Sequence, residues 1–81
     1  MTLKDNSVGV IGAGAFGTAL AIVLADAGFQ VDLWARSEDV RVSINERREN
    51  SIYLKGVQIP HEIQATNDLE KAVTEKSMIL G

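Results

Sequence analysis

Apolar residues gather in short runs along this chain, separated by polar or charged stretches. Val8 to Gly12 is an unbroken run of small apolar residues, the signature of a strand buried on both faces. Phe16 to Ala27 stays apolar but is rich in alanine. It predicts a helix with Leu20, Val23 and Leu24 on one face and small residues that allow close packing on a sheet. Gly28 follows Asp26-Ala27 and supplies the C-terminal stop. Phe29 to Ala35 predicts a second strand, parallel to the first because a crossover helix joins them. Ser37 stands as an N-cap, with Glu38 and Asp39 in the first turn where the helix dipole favours acids. A polar helix follows to about Arg48, anchored by Val40 and Ile44.

Asn50 to Glu62 has no clear period and contains Gly56 and Pro60, so it predicts a structured loop. The run Asn45 to Asn50 reads most simply as a solvated helix face. Ile63 to Thr66 predicts a third strand. Asn67 then caps a helix to about Glu75 with Leu69, Ala72 and Val73 inward. Ser77 to Leu80 begins a fourth strand. The alternation is that of an α/β chain: a Rossmann-type, doubly wound parallel sheet, partial, of about four strands in the order 3-2-1-4. The sequence halts within a strand that should be buried, so residues 1–81 are expected to be the first part of a longer cofactor-binding domain. The apolar edge Met78-Ile79-Leu80 leads to an expectation of self-association.

Composition narrows the functional classes. With 46% hydrophobic and 23% charged residues the chain is ordinary for a soluble globular protein. A formal net charge of −3 without a basic stripe argues against a nucleic-acid partner. The absence of cysteine excludes disulfides and thiolate metal sites, and no metal site is expected. His61, the single histidine, follows Pro60 in a polar stretch and reads as a solvated loop residue. Ala13 to Ala25, the most apolar stretch, is too short to span a bilayer, and no apolar leader with a cleavage site follows Met1 to Ser7. The expectation is a cytoplasmic protein without membrane insertion.

Candidate chemistry lies where the first strand meets the first helix. Gly12-x-Gly14-x-x-Gly17 sits between them, which is the context that makes this motif a dinucleotide-binding fingerprint. Gly12 permits the tight turn, Gly14 lets a pyrophosphate approach the backbone, and Gly17 lets the helix lie against the strand. The helix N–H groups and dipole then face the phosphates. A bare glycine triplet would fit any strand-to-helix turn that needs small residues.

In the usual NAD-binding unit an acid about 20 positions beyond the glycines ends the second strand and holds the ribose 2′-hydroxyl. Here alternation places Asp32 inside the strand, and the tip is Ala35-Arg36-Ser37. An uncharged residue followed by a guanidinium and a hydroxyl suits a 2′-phosphate. NADP(H) is therefore the expected cofactor, with NAD(H) as the alternative; the competing reading of Arg36 is a solvated arginine opening a loop.

Several segments together resemble a known family: Gly12 to Ala21, Leu33-Trp34-Ala35-Arg36, Ile44-Asn45, Arg47 to Asn50, Tyr53-Leu54-Lys55-Gly56, Ile59-Pro60, Ala65-Thr66 and Asp68-Leu69. They resemble the N-terminus of bacterial NAD(P)-dependent glycerol-3-phosphate dehydrogenase, over nearly the whole chain. The specific part is Asn-x-x-Arg-x-Asn-x-x-Tyr-Leu-x-Gly, leading to a proline. The resemblance implies reduction of dihydroxyacetone phosphate to sn-glycerol 3-phosphate with NADPH or NADH, feeding phospholipid synthesis. It implies cofactor contacts at Ala15, Phe16, Arg36, Ser37 and Tyr53. It also implies a C-terminal helical substrate domain, absent from this chain, that carries the proton-donating lysine and holds the substrate phosphate. No catalytic residue is therefore assigned here, and the 81 residues alone are expected to be inactive.

The chain departs from the family pattern in places: Phe16 stands for a common tryptophan, Ala15 for a serine, Lys55 for a proline, and Lys76-Ser77 for an Ala-Asp pair. Phe16 also fits a packing role, and Tyr53 and Leu54 fit core positions. Two other functions compete: a nucleotide-sensing module without catalysis, and another NADP-dependent reductase of the same fold. Neither gives a reason for the loop Asn50 to Gly56.

Overall fold

The computed structural model describes residues 6–81. In chain order its elements are β1 (Ser7–Ile11), α1 (Ala15–Asp26), β2 (Gln30–Trp34), α2 (Glu38–Arg47), β3 (Ile63–Thr66), α3 (Leu69–Val73) and β4 (Met78–Leu80). The strands form one parallel sheet in the order β3-β2-β1-β4, as the sequence pattern predicts. Val8 lies opposite Val31 and Met78, and Leu33 opposite Ala65, so the apolar side chains of neighbouring strands share a face.

Two glycines set how closely the helices sit on that sheet. A Cβ on Gly17 would stand 1.8 Å from the Gly12 carbonyl oxygen and 3.8 Å from Val10 Cγ1, so α1 packs backbone to backbone at the end of β1. A Cβ on Gly9 would stand 1.9 Å from the Ala72 carbonyl oxygen. Adjacent strand residues point to opposite faces, so α3 covers the face opposite α1.

This closeness explains where the predicted helix faces fail. On α1 the buried residues are Thr18, Ala21 and Ala25, while Val23 is 63% exposed and Leu20 and Leu24 are half-buried. On α3 only Ala72 is buried, and Leu69 and Val73 are exposed. A helix held against strand backbone has room for methyl and hydroxymethyl groups, and larger side chains are displaced to the flanks. The α3 cap is also corrected: Asp68, not Asn67, accepts the Glu70 N–H, and the helix ends at Val73 rather than Glu75. The α1 stop is as expected. Gly28, at φ +102°, donates to Ala25 O, and Phe29 N–H returns to Leu24 O, which is a Schellman closure.

The run Asn45 to Asn50 is a solvated face only in part: Glu46 and Arg47 are exposed, and Asn45, Arg48 and Asn50 turn to partners in the protein. Asn45 exchanges two hydrogen bonds with the Ala65 backbone, Arg48 Nη2 donates to the carbonyls of Pro60 and Ile63, and Asn50 is completely buried. Lys76 reaches across the α3 face to Asp32, Nζ to Oδ2 at 3.0 Å, with its own side chain only 7% exposed. Among the described residues no helix is long and apolar enough to cross a membrane, and no group of ligating side chains could hold a metal ion.

Candidate cofactor-binding cleft

β1 and β2 end side by side, with Ile11 opposite Trp34 and Gly12 N–H donating to Trp34 O at 3.0 Å. The chain leaves β1 through Gly12 at φ +115°, a backbone state that L side chains rarely adopt. Gly14 follows as the N-cap of α1, with no side-chain cap and no acid in the first helical turn. The other helices differ. Ser37 Oγ caps α2 at Asp39 and Val40, Asp68 caps α3, and both have acids in their first turns. The N–H groups at the start of α1 are thus left for an external anion.

A position for that anion is open. A Cβ built on Gly14 meets nothing within 4 Å, so the backbone there faces free space. The space is a cleft of about 440 Å³ lined by Gly12, Ala13, Gly14, Trp34, Ala35, Arg36, Ser37, Val40 and Tyr53. It brings together five of the residues singled out from sequence: Gly12, Gly14, Arg36, Ser37 and Tyr53. Ala15 and Phe16 are exposed at the mouth of α1 without lining the cleft, and Phe16 is 82% exposed. That exposure rules out the packing role for Phe16 within these residues. Gly17 lies underneath, where it serves helix–strand contact.

The electrostatics of the cleft suit a phosphate. No carboxylate lines it, and Arg36 is exposed with no hydrogen bond or ion pair among the described residues. Ser37 Oγ uses its lone pairs on the α2 cap, which leaves its proton to donate. Asp32 cannot substitute for the missing acid at the strand tip, because it is paired with Lys76 on the α3 face. These residues therefore fit the phosphates of a dinucleotide.

A family model described as the NAD-dependent glycerol-3-phosphate dehydrogenase N-terminus matches residues 7–81. The chain belongs to this family. It is 47% identical over 74 residues to a glycerol-3-phosphate dehydrogenase (NAD(P)+) of Leptospira biflexa, covering 91% of this chain and 22% of that protein. It is 52% identical over 75 residues to a second such enzyme of Mycobacterium bovis, covering 93% of this chain and 22% of that one. Among solved structures, the glycerol-3-phosphate dehydrogenase of Coxiella burnetii superposes with a TM-score of 0.84 at 32% identity, over 94% of this chain and 23% of that one. The Saccharomyces cerevisiae enzyme gives 0.83 at 30% identity, over 90% and 24%. The chain thus spans about a fifth of the length of these relatives. Membership of an NAD(P)-dependent dehydrogenase family indicates a nicotinamide cofactor.

Two asparagines, Asn50 of the family motif and Asn67 after β3, hold the cleft in shape. Asn50 Nδ2 donates to Ala13 O at 2.9 Å and Thr18 Oγ1 at 2.8 Å, while its Oδ1 accepts from Tyr53 N–H at 3.1 Å. Asn67 Nδ2 donates to the carbonyls of Ala35 and Ser37, its Oδ1 accepts from Arg41 Nε, and its own carbonyl takes Trp34 Nε1. The strand tip 35–37 is therefore held from both ends of one residue. Neither asparagine stands out by periodicity. The available signal is that asparagine favours caps and turns, where its side-chain amide seeks backbone partners.

Proposed function

We propose that this cleft binds a nicotinamide dinucleotide, with its pyrophosphate at Gly12, Gly14 and the N–H groups of Ala15, Phe16 and Gly17. The adenosine end lies between Arg36, Ser37 and Tyr53, and NADP(H) is preferred over NAD(H). The observation that carries this reading is a cleft running from a helix N-terminus without a side-chain cap to a guanidinium with no partner among the described residues, and no carboxylate lines it. When bound, the nicotinamide supplies or accepts hydride. The residues described here orient the dinucleotide and set its phosphate selectivity.

The chain is, on this reading, the cofactor-binding portion of an oxidoreductase that interconverts dihydroxyacetone phosphate and sn-glycerol 3-phosphate in the cytoplasm, for glycerophospholipid synthesis. Family membership and the names of the relatives support the glycerol-3-phosphate dehydrogenase part of it. No lysine, histidine or carboxylic acid lines the cleft. On this reading, as the family resemblance implies, the proton donor and the substrate-phosphate contacts lie in a C-terminal substrate domain. Self-association belongs to the same reading, since β4 pairs with β1 on one side and carries the exposed Met78 and Ile79.

Trp34, the single tryptophan, lines the cleft and provides the test. Titration with NADPH should produce saturable energy transfer from Trp34 to the reduced nicotinamide, and NADH should saturate at higher concentration. No saturable signal with either dinucleotide would overturn the reading.

A further inference from the structure

Asn50 has no solvent exposure, yet its side chain is polar and engaged in three hydrogen bonds. Burying an amide is unfavourable unless its donors and acceptor find partners. If the position needed only to be filled, a leucine would do so without that desolvation. The partners of Asn50 divide into two groups. Ala13 and Thr18 belong to the glycine turn and the first turn of α1. Tyr53 belongs to the turn on the other side of the cleft, where Leu54 N–H also returns to the Asn50 carbonyl at 2.8 Å. The bonds to Ala13 and Tyr53 thus join the two walls through one side chain, 37 residues along the sequence from Ala13.

The link to Ala13 has a further geometric consequence. In a planar trans peptide the carbonyl and the following N–H point in opposite directions. No cis peptide occurs among the described residues. With the Ala13 carbonyl seated on Asn50, the Gly14 N–H is turned away from the buried interior. An apolar residue at position 50 would leave that peptide free to rotate.

We infer that Asn50 is a positioning residue for the dinucleotide. It locks the Tyr53 turn and the glycine turn in one register, and acts on the ligand through Tyr53 and the Gly14 N–H without touching it. The inference rests on the cofactor reading above.

The test is a double-mutant cycle in NADPH affinity across Asn50→Ala, Tyr53→Ala and the double variant. Circular dichroism and a denaturation midpoint verify that each variant folds. Each single change should weaken NADPH about five- to tenfold, the scale of one lost hydrogen-bond contribution. The double variant should fall well short of the product of the two losses, because removing Tyr53 removes part of what Asn50 holds in place. Losses that multiply, or an Asn50→Ala variant that binds like the original, would overturn the inference while leaving the cofactor reading intact. If the unmodified protein binds no NADPH, both fall together. Should Asn50→Ala fail to fold, amide exchange on the unmodified protein decides. The Tyr53 and Leu54 amides should be protected and slow further when NADPH is added. Fast exchange of both, with or without NADPH, would overturn the role.

Discussion

Asn45 and Ala65 exchange two hydrogen bonds: Asn45 Nδ2 donates to the Ala65 carbonyl at 2.8 Å, and Asn45 Oδ1 accepts from the Ala65 N–H at 2.9 Å. Ala65 lies in β3, the outer strand of the sheet, so this one side chain takes the place of a neighbouring strand at that position. The helix that carries Asn45 is thereby fastened to an edge that would otherwise offer its backbone to another chain. Asn45→Ala should lower unfolding stability by about 1–3 kcal/mol, because both Ala65 groups lose their partner. Denaturant unfolding measures this. NADPH affinity of the folded protein should stay unchanged, since Asn45 does not line the cleft.

The glycines of the fingerprint should separate by experiment. Gly14 has φ −76° and open space at the Cβ position, so Gly14→Ala should fold with a stability change within about 1 kcal/mol. Its methyl group would project where the pyrophosphate approaches, so NADPH binding should be lost. Gly17→Ala would place a methyl 1.8 Å from a backbone oxygen and should cost about 1–3 kcal/mol or more. Paired stability and NADPH measurements on the two variants check this, and a Gly14→Ala protein that binds normally would contradict it.

Lys76 and Asp32 form an ion pair whose lysine is nearly buried. Lys76→Met should destabilise by roughly 2–4 kcal/mol, below the value for a fully buried pair because Asp32 keeps some solvent contact. Replacing both together, Asp32→Leu with Lys76→Met, should recover most of that loss. Unfolding midpoints of the single and double variants test whether the charge of Asp32 is what suffers.

The 81 residues should bind cofactor without turning it over. Their cleft supplies phosphate contacts and no lysine, histidine or carboxylic acid to protonate a developing alkoxide. An assay that follows NADPH oxidation with dihydroxyacetone phosphate should match the blank, and sustained turnover would relocate the catalytic groups into this chain.

The strands, their order and the glycine turn were legible because each depends on residues close in sequence. Val8 to Gly12 has no polar position to place on a solvated face, and Gly12 and Gly17 answer to local backbone geometry. The interior asparagines and Arg48 were not legible in the same way. Whether a polar side chain is solvated or buried depends on the partners it finds, and Asn45, Arg48 and Asn50 each find partners 12 to 37 residues away. The buried faces of α1 and α3 differ from the hydrophobic pattern for a related reason. Counting leucines and valines assumes that the larger side chain wins the interior, whereas Gly17 and Gly9 bring the backbones so near that only small residues fit. Arg36, Ser37 and Tyr53 converge on one cleft; position and charge point to Arg36-Ser37, and only the family resemblance points to Tyr53.

Paired titrations of Arg36→Ala with NADPH and NADH at matched ionic strength test whether Arg36 reads the 2′-phosphate. NADPH affinity should fall about tenfold, as for one charge-assisted contact at an exposed site, and NADH affinity should hardly change. Ala35→Asp serves as the complementary variant, and should shift preference toward NADH by restoring an acceptor and repelling the phosphate. If Arg36→Ala weakens both dinucleotides equally, the guanidinium supports the fold or the shared part of the cofactor, and the 2′-phosphate account is wrong.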